Sequence, residues 1–149
     1  MTETHGREAI VQIAGMLKEI DLCQFTTRGE DGQLHSRPMS NNSQVEFDGD
    51  SWFFAPSDGR LLAELERDPS AVTAYRAGED YTFISVSGRA SIETDLELKK
   101  RHWLDELKQW FPNGPEDPNV SLIRLQAEHA EWWGEHGDGS ADLRVAAQA

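Results

Sequence analysis

The sequence predicts a mainly β domain, a six-stranded antiparallel barrel with helices packed outside it. Three observations carry that expectation. Strand-like runs alternate with Gly, Asn and Asp turns between residues 22 and 55. A long run from 81 to 92 alternates in the same way, and only short stretches show a helical period. The length, 149 residues, suits one domain with a core that needs no disulfide staples.

Each element has its own reason. Ile10, Ile13, Leu17 and Ile20, with Ala14 beside them, share one face of a helix running from Arg7 to Ile20. Leu22 to Thr27 reads as a short strand, and Arg28-Gly-Glu-Asp-Gly32 supplies a hairpin turn. Leu34 to Ser40 continues extended, with Pro38 restricted to an edge or bulge. A turn at Asn41-Asn42-Ser43, then Val45 and Phe47, then a turn at Asp48-Gly-Asp50 lead into Ser51 to Ala55. Three strands so closely spaced predict an antiparallel meander. Leu61, Leu62 and Leu65 suit a short helix ended by Asp68-Pro69. Ala71 to Arg76 and Tyr81 to Ile92 are two more strands, with Thr82, Ile84, Val86, Gly88, Ala90 and Ile92 on one side of the longer one. Asp95 to Trp110 reads as a helix, broken by Phe111-Pro-Asn-Gly-Pro. Val120 to Glu128 is the last strand. The expected organisation is one domain over residues 1–136 and a flexible tail over residues 137–149.

Charge and composition exclude several function classes. Fourteen Lys and Arg against 27 Asp and Glu give a formal charge of −13, which repels nucleic acid and anionic membranes. No apolar run approaches the roughly 20 residues that span a bilayer, and the N-terminus lacks the basic and apolar regions of a secretory signal. The single cysteine, Cys23, cannot form an internal disulfide. The expectation is a cytoplasmic protein. An anionic ligand would need a local cluster of donors, because the overall field opposes it.

Few places can supply one. His35-Ser-Arg-Pro-Met39 places Arg37 beside a proline that removes a backbone donor, so neighbouring backbone groups can meet a polar heterocycle. A solvated arginine on an edge strand fits the same spacing. Phe53-Phe54-Ala-Pro-Ser57-Asp-Gly-Arg60 joins a strand to a helix start, where Ser57 can cap the helix and Arg60 offers a fork of donors to a phosphate. An ordinary cap with a surface arginine is the plainer alternative. The His and acid run from Glu128 to His136 lacks the spacing of a helical metal-binding pair, so no metal site is expected. No Rossmann or Walker-type glycine loop is present.

Cys23-Gln-Phe-Thr-Thr27, His35-Ser-Arg-Pro-Met39, Trp52-Phe-Phe with Ser57 and Arg60, Ser87-Gly-Arg-Ala90, Trp110-Phe-Pro-Asn-Gly with Asp117-Pro118, and Ala130-Glu-Trp-Trp133 occur in that order. This set resembles the general stress protein 26 branch of the pyridoxamine 5′-phosphate oxidase-like proteins, the FMN-binding split β-barrels. The resemblance runs from about Ile10 to Trp133. It implies a six-stranded split barrel that forms a homodimer, with one FMN in each of two clefts at the subunit interface. By the same resemblance Arg37, Pro38 and Met39 would line the isoalloxazine ring. Phe53 and Phe54 would supply backbone and apolar contacts, and Ser57 and Arg60 would hold the ribityl phosphate. Family members usually carry lysine where Arg60 stands; arginine keeps the charge and adds a donor. Trp110 of the partner subunit would approach the ring.

The resemblance implies a flavin-dependent oxidoreductase or a flavin-binding stress protein, with no catalytic residue identified. It argues against pyridoxamine phosphate oxidation, because Glu131-Trp-Trp-Gly-Glu-His136 is acidic where a second phosphate would need basic groups. Two alternatives stay open. One is a split-barrel dimer using a deazaflavin or haem, for which His35 is the only axial candidate by position. The other is a cofactor-free binding or scaffold protein.

Overall fold

Turn chemistry fixes the first hairpin, and the rest of the sheet builds outward from it. In the computed structural model, which describes residues 2–18, 20–40, 47–77, 81–134 and 137–144, β2 (Leu22–Arg28) and β3 (Leu34–Ser40) pair antiparallel from Leu22↔Ser40 to Arg28↔Leu34. Gly32, at φ 81°, takes the left-handed position of the connecting turn. Gly29 N donates to Gln33 O at 2.8 Å and closes it. Ahead of this hairpin lie β1 (Thr2–His5) and α1 (Gly6–Leu17), whose Ile10, Ile13 and Leu17 are buried as the periodicity predicts; Ala9 is buried with them, Ala14 is half-buried, and the helix stops before the expected Ile20.

β4 (Asp50–Pro56) is followed by α2 (Arg60–Arg67), β5 (Ser70–Ala77), β6 (Thr82–Glu93), α3 (Leu96–His102), β7 (Val120–Trp133) and β8 (Gly139–Asp142). The sheet runs β1-β8-β7-β6-β5-β2-β3, with β4 attached to β7. All pairs are antiparallel except β1 with β8, which is parallel. The 14-residue β7 organises the molecule. One edge carries β6; the other is shared between β4, on residues 120–126, and β8, on residues 129–132. That division opens the barrel on one side. The sheet has eight strands, two more than the six expected, and the extra pair comes from the chain ends.

Three expectations change. β4 does not continue a meander from β3 but crosses to β7. β3 is left as an edge strand, which is where Pro38, lacking an N–H, costs no ladder bond. The helix expected over Asp95 to Trp110 ends at His102; Trp103 and Leu104 are extended, and a 3₁₀ turn spans Asp105–Gln109. The break lets Trp103, Leu104 and Leu107 reach one apolar cluster with Phe54, Val120 and Leu122. The tail expected to be flexible is ordered over 139–142, because Ser140 and Ala141 are buried between β1 and β7. The turn expected at Asn41-Asn42-Ser43, with Val45, and the end of the tail from 145 to 149 lie outside the described residues.

The main core joins α1, α2 and the inner sheet face around Phe25 and Phe53, whose rings meet edge-on at 5.0 Å. Gly88 marks the bulge between β6 and β7; a Cβ there would lie 2.1 Å from Gln126 O, so only glycine allows the strands to approach. No helix is long and apolar enough to cross a membrane.

Candidate functional site

Strand alternation decides where the expected ligand-contact residues go. On β3, His35, Arg37 and Met39 turn toward the molecule, whereas Leu34, Ser36 and Pro38 face out. Arg37 and Pro38 therefore lie on opposite faces of their strand. Arg37 reaches across β2: Nη1 donates to Thr27 Oγ1 at 2.8 Å and to Phe25 O at 3.3 Å, and Nη2 donates to Glu64 Oε1 at 3.0 Å. Met39 packs against the main core. Phe53 is fully buried there, and Phe54 lies in the second cluster with its ring edge-on to Trp103 at 5.3 Å. Both phenylalanine rings are thus engaged within the chain.

Ser57 does not cap α2. Gly59 occupies the cap position, with no side-chain cap bond. The Ser57 hydroxyl donates to Pro118 O at 2.9 Å and meets Ser121 Oγ at 2.7 Å, tying the strand end to the start of β7. Its one proton is committed to that carbonyl. Trp110 is 58% exposed, just beyond the 3₁₀ turn.

Arg60 opens α2 and is exposed. It lines a cleft of about 440 Å³ between the β2–β3 hairpin and α2, shared with Glu30, Asp31, His35, Ala63, Glu64 and Arg67. The cations around it are already matched: Arg28 with Asp68 at 3.6 Å, Arg67 with Glu30 at 3.3 Å, and Arg37 with Glu64. Arg60 has no ion pair or hydrogen bond among the described residues. In a chain of net charge −13, an unmatched guanidinium at a cleft suits an oxyanion such as a phosphate. The guanidinium of Arg60 has the charge and donors that a phosphate needs, whereas Arg37 is turned inward and committed to Glu64.

Glu64 is the member of this group that sequence reasoning did not single out. It is 6% exposed and accepts from Thr27 Oγ1 at 2.6 Å, His35 Nδ1 at 2.6 Å and Arg37 Nη2 at 3.0 Å. Burial alone would raise its pKa, but these hydrogen bonds and the nearby imidazole charge outweigh it and hold the carboxyl at about 2. The available signal was position: Glu64 lies on the α2 face that also carries Leu61 and Leu65.

Cys23 is buried, and burial pushes its thiol to about 12, which makes it inert as a nucleophile. Among the described residues, no group of His, Cys, Asp or Glu side chains converges to hold a metal ion. Of the acidic and histidine run near the C-terminus, Glu135 and His136 lie outside the described residues.

Comparison with known proteins places the chain in a family. The family described as "Pyridoxamine 5'-phosphate oxidase like" matches residues 8–147. Protein bli-3 of Neurospora crassa is 28% identical over 140 residues, covering 88% of this chain and 67% of that protein. General stress protein 26 of Bacillus subtilis is 35% identical over 68 residues, which is 44% of this chain and 48% of its own length. The general stress FMN/FAD binding protein of Xanthomonas citri superposes with a TM-score of 0.71 at 33% identity, covering 85% of this chain and 89% of that one. The chain is a general stress protein 26-like member of the pyridoxamine 5′-phosphate oxidase-like family, with its split β-barrel fold.

Proposed function

We propose that this chain is an FMN-binding protein that works as a homodimer, with flavin held in clefts at the subunit interface, and serves as a flavin-dependent oxidoreductase. The observation that carries the reading is Arg60, the unmatched cation of the α2 cleft. The Xanthomonas citri relative, described as FMN/FAD binding, supports it. In this reading Arg60 would seat the phosphate, and Arg37, Pro38 and Met39 on β3 would line the ring. Phe53 and Phe54 contribute through their backbone, since their rings are buried. Ser57 holds the β4–α2 corner in place through Pro118 and Ser121. Bound flavin supplies the two-electron redox chemistry.

The homodimer reading rests on apolar groups the single chain leaves uncovered: Leu22, Leu34, Phe83, Trp110 and Trp133 are between 41% and 65% exposed. Trp110 of the partner subunit is assigned to the ring. We place the protein in a reducing, cytoplasmic setting, a reading supported by the single, unpaired Cys23.

Arg60→Ala tests the phosphate assignment. A charge-assisted contact to a phosphate contributes about 1.5–3 kcal/mol, so FMN affinity measured by flavin fluorescence should fall at least about tenfold. Unchanged affinity would remove Arg60 from the site.

A further inference from the structure

The floor of the α2 cleft is one helical stripe. Arg60, Ala63, Glu64 and Arg67 recur at the spacing that puts side chains on a single helix face, and all four line the cavity. Arg60 and Arg67 are separated by about 10 Å along the helix axis. The methyl group of Ala63 between them is too short to fill that space. By spacing alone the floor offers two contacts to anionic groups, one guanidinium at each end.

The second contact is already taken. Glu30 reaches down from the tip of the β2–β3 hairpin, and its Oε2 lies 3.3 Å from Arg67 Nη1. The tip is fixed in place: Gly29 N donates to Gln33 O at 2.8 Å, Gly32 N donates to Gly29 O at 2.9 Å, and Gln33 N donates to Asp31 Oδ1 at 3.0 Å. The same turn puts Asp31 on the cleft wall as a further negative charge. Glu64, in the middle of the floor, is committed to Thr27, His35 and Arg37. A phosphate monoester on Arg60 therefore meets one open guanidinium. A diphosphate has a second anionic group to place, and that group meets the carboxylates of Glu30 and Asp31 where it needs a donor.

We propose that the Glu30–Arg67 pair sets the specificity of the cleft, admitting phosphate monoesters and disfavouring diphosphates, so that FMN is taken over FAD. The proposal rests on the reading that Arg60 seats the flavin phosphate, and it adds the class of phosphate that the seat accepts. A diphosphate can use Arg67 only after Glu30 has left it, and the energy of separating that pair weighs on FAD alone. The Arg67 and Glu30 side chains are 49% and 85% exposed, so solvent screens the pair and the discrimination is a modest factor.

Titration calorimetry of the full chain with FMN and with FAD measures the preference. Three variants are compared with the wild type: Glu30→Gln, Glu30→Gln combined with Arg67→Ala, and Glu66→Gln, which removes an exposed acid of α2 that does not line the cleft. The wild type should bind FMN more tightly than FAD. Glu30→Gln should narrow that preference at least about threefold by raising FAD affinity, the scale of one exposed charge contact. Adding Arg67→Ala should abolish the gain, and Glu66→Gln should leave the preference at its wild-type value. FAD bound as tightly as FMN by the wild type, or an unchanged preference in Glu30→Gln, overturns the proposal and leaves the flavin reading standing. A gain that survives Arg67→Ala, or that Glu66→Gln reproduces, does the same. If neither flavin binds, the flavin reading fails, and inorganic phosphate and pyrophosphate are titrated into the wild type and Glu30→Gln. A gain for pyrophosphate alone then upholds the pair as the selector; equal gains, or none, overturn it.

Discussion

A buried carboxylate that accepts three hydrogen bonds is hard to protonate, and Glu64 is in that position. Its pKa falls from an ordinary 4.5 to about 2 in the folded chain. A group depressed on folding stabilises the fold above its unfolded pKa and loses that contribution as pH drops through the folded value. Wild-type stability should therefore decline between pH 4.5 and 2, by about 1–2 kcal/mol from this group once screening at the cleft mouth is allowed for. Glu64→Gln should cost roughly 2–3 kcal/mol at neutral pH, because Arg37 loses its buried partner. The gap between Glu64→Gln and wild type should then narrow as the solution is acidified. Chemical denaturation at a series of pH values measures both; a gap that stays constant with pH would contradict the assignment. At this scale the sequence was legible in part. Arg37 and Arg60 stand out as cations near a proline and a helix start, whereas Glu64 looks like any charge on a short helix. Its role depends on α2 lying against β2 and β3, which is tertiary information.

Elements were legible where their own chemistry defines them. The glycines of the β2–β3 turn, the alternation of β6 and the leucines of α2 carry their signal locally. β8 does not. Gly139-Ser-Ala-Asp142 has no β-branched or aromatic residue, and it becomes a strand because β7 and β1 bury it on both sides. The partner of β4 was hidden for a similar reason, since strand pairing is chosen by burial across the molecule. β1 hydrogen-bonds to β8 in the sheet, and Leu143 N donates to Glu128 O at 2.9 Å. Ending the chain after residue 138 removes the buried Ala141 and Leu143 and leaves β1 unpaired. The loss should be at least about 3 kcal/mol, and thermal unfolding should begin about 10 °C lower in Tm for a domain of this size. An unchanged Tm would show that β8 contributes little to the fold.

At the scale of the whole molecule, the split barrel follows from β7 serving β4 with one half and β8 with the other. The acidic surface carries a formal −13, so oxyanion affinity has to come from the α2 cleft, where Arg60 is unmatched. The proposed flavin binding would depend on that local exception to the overall field, and flavin retention tests it. The measurement is an absorbance scan of the purified chain after FMN is added and free ligand is removed by desalting. Flavin bands are expected to remain with the protein. A spectrum without them would contradict the assignment of this cleft to a flavin phosphate.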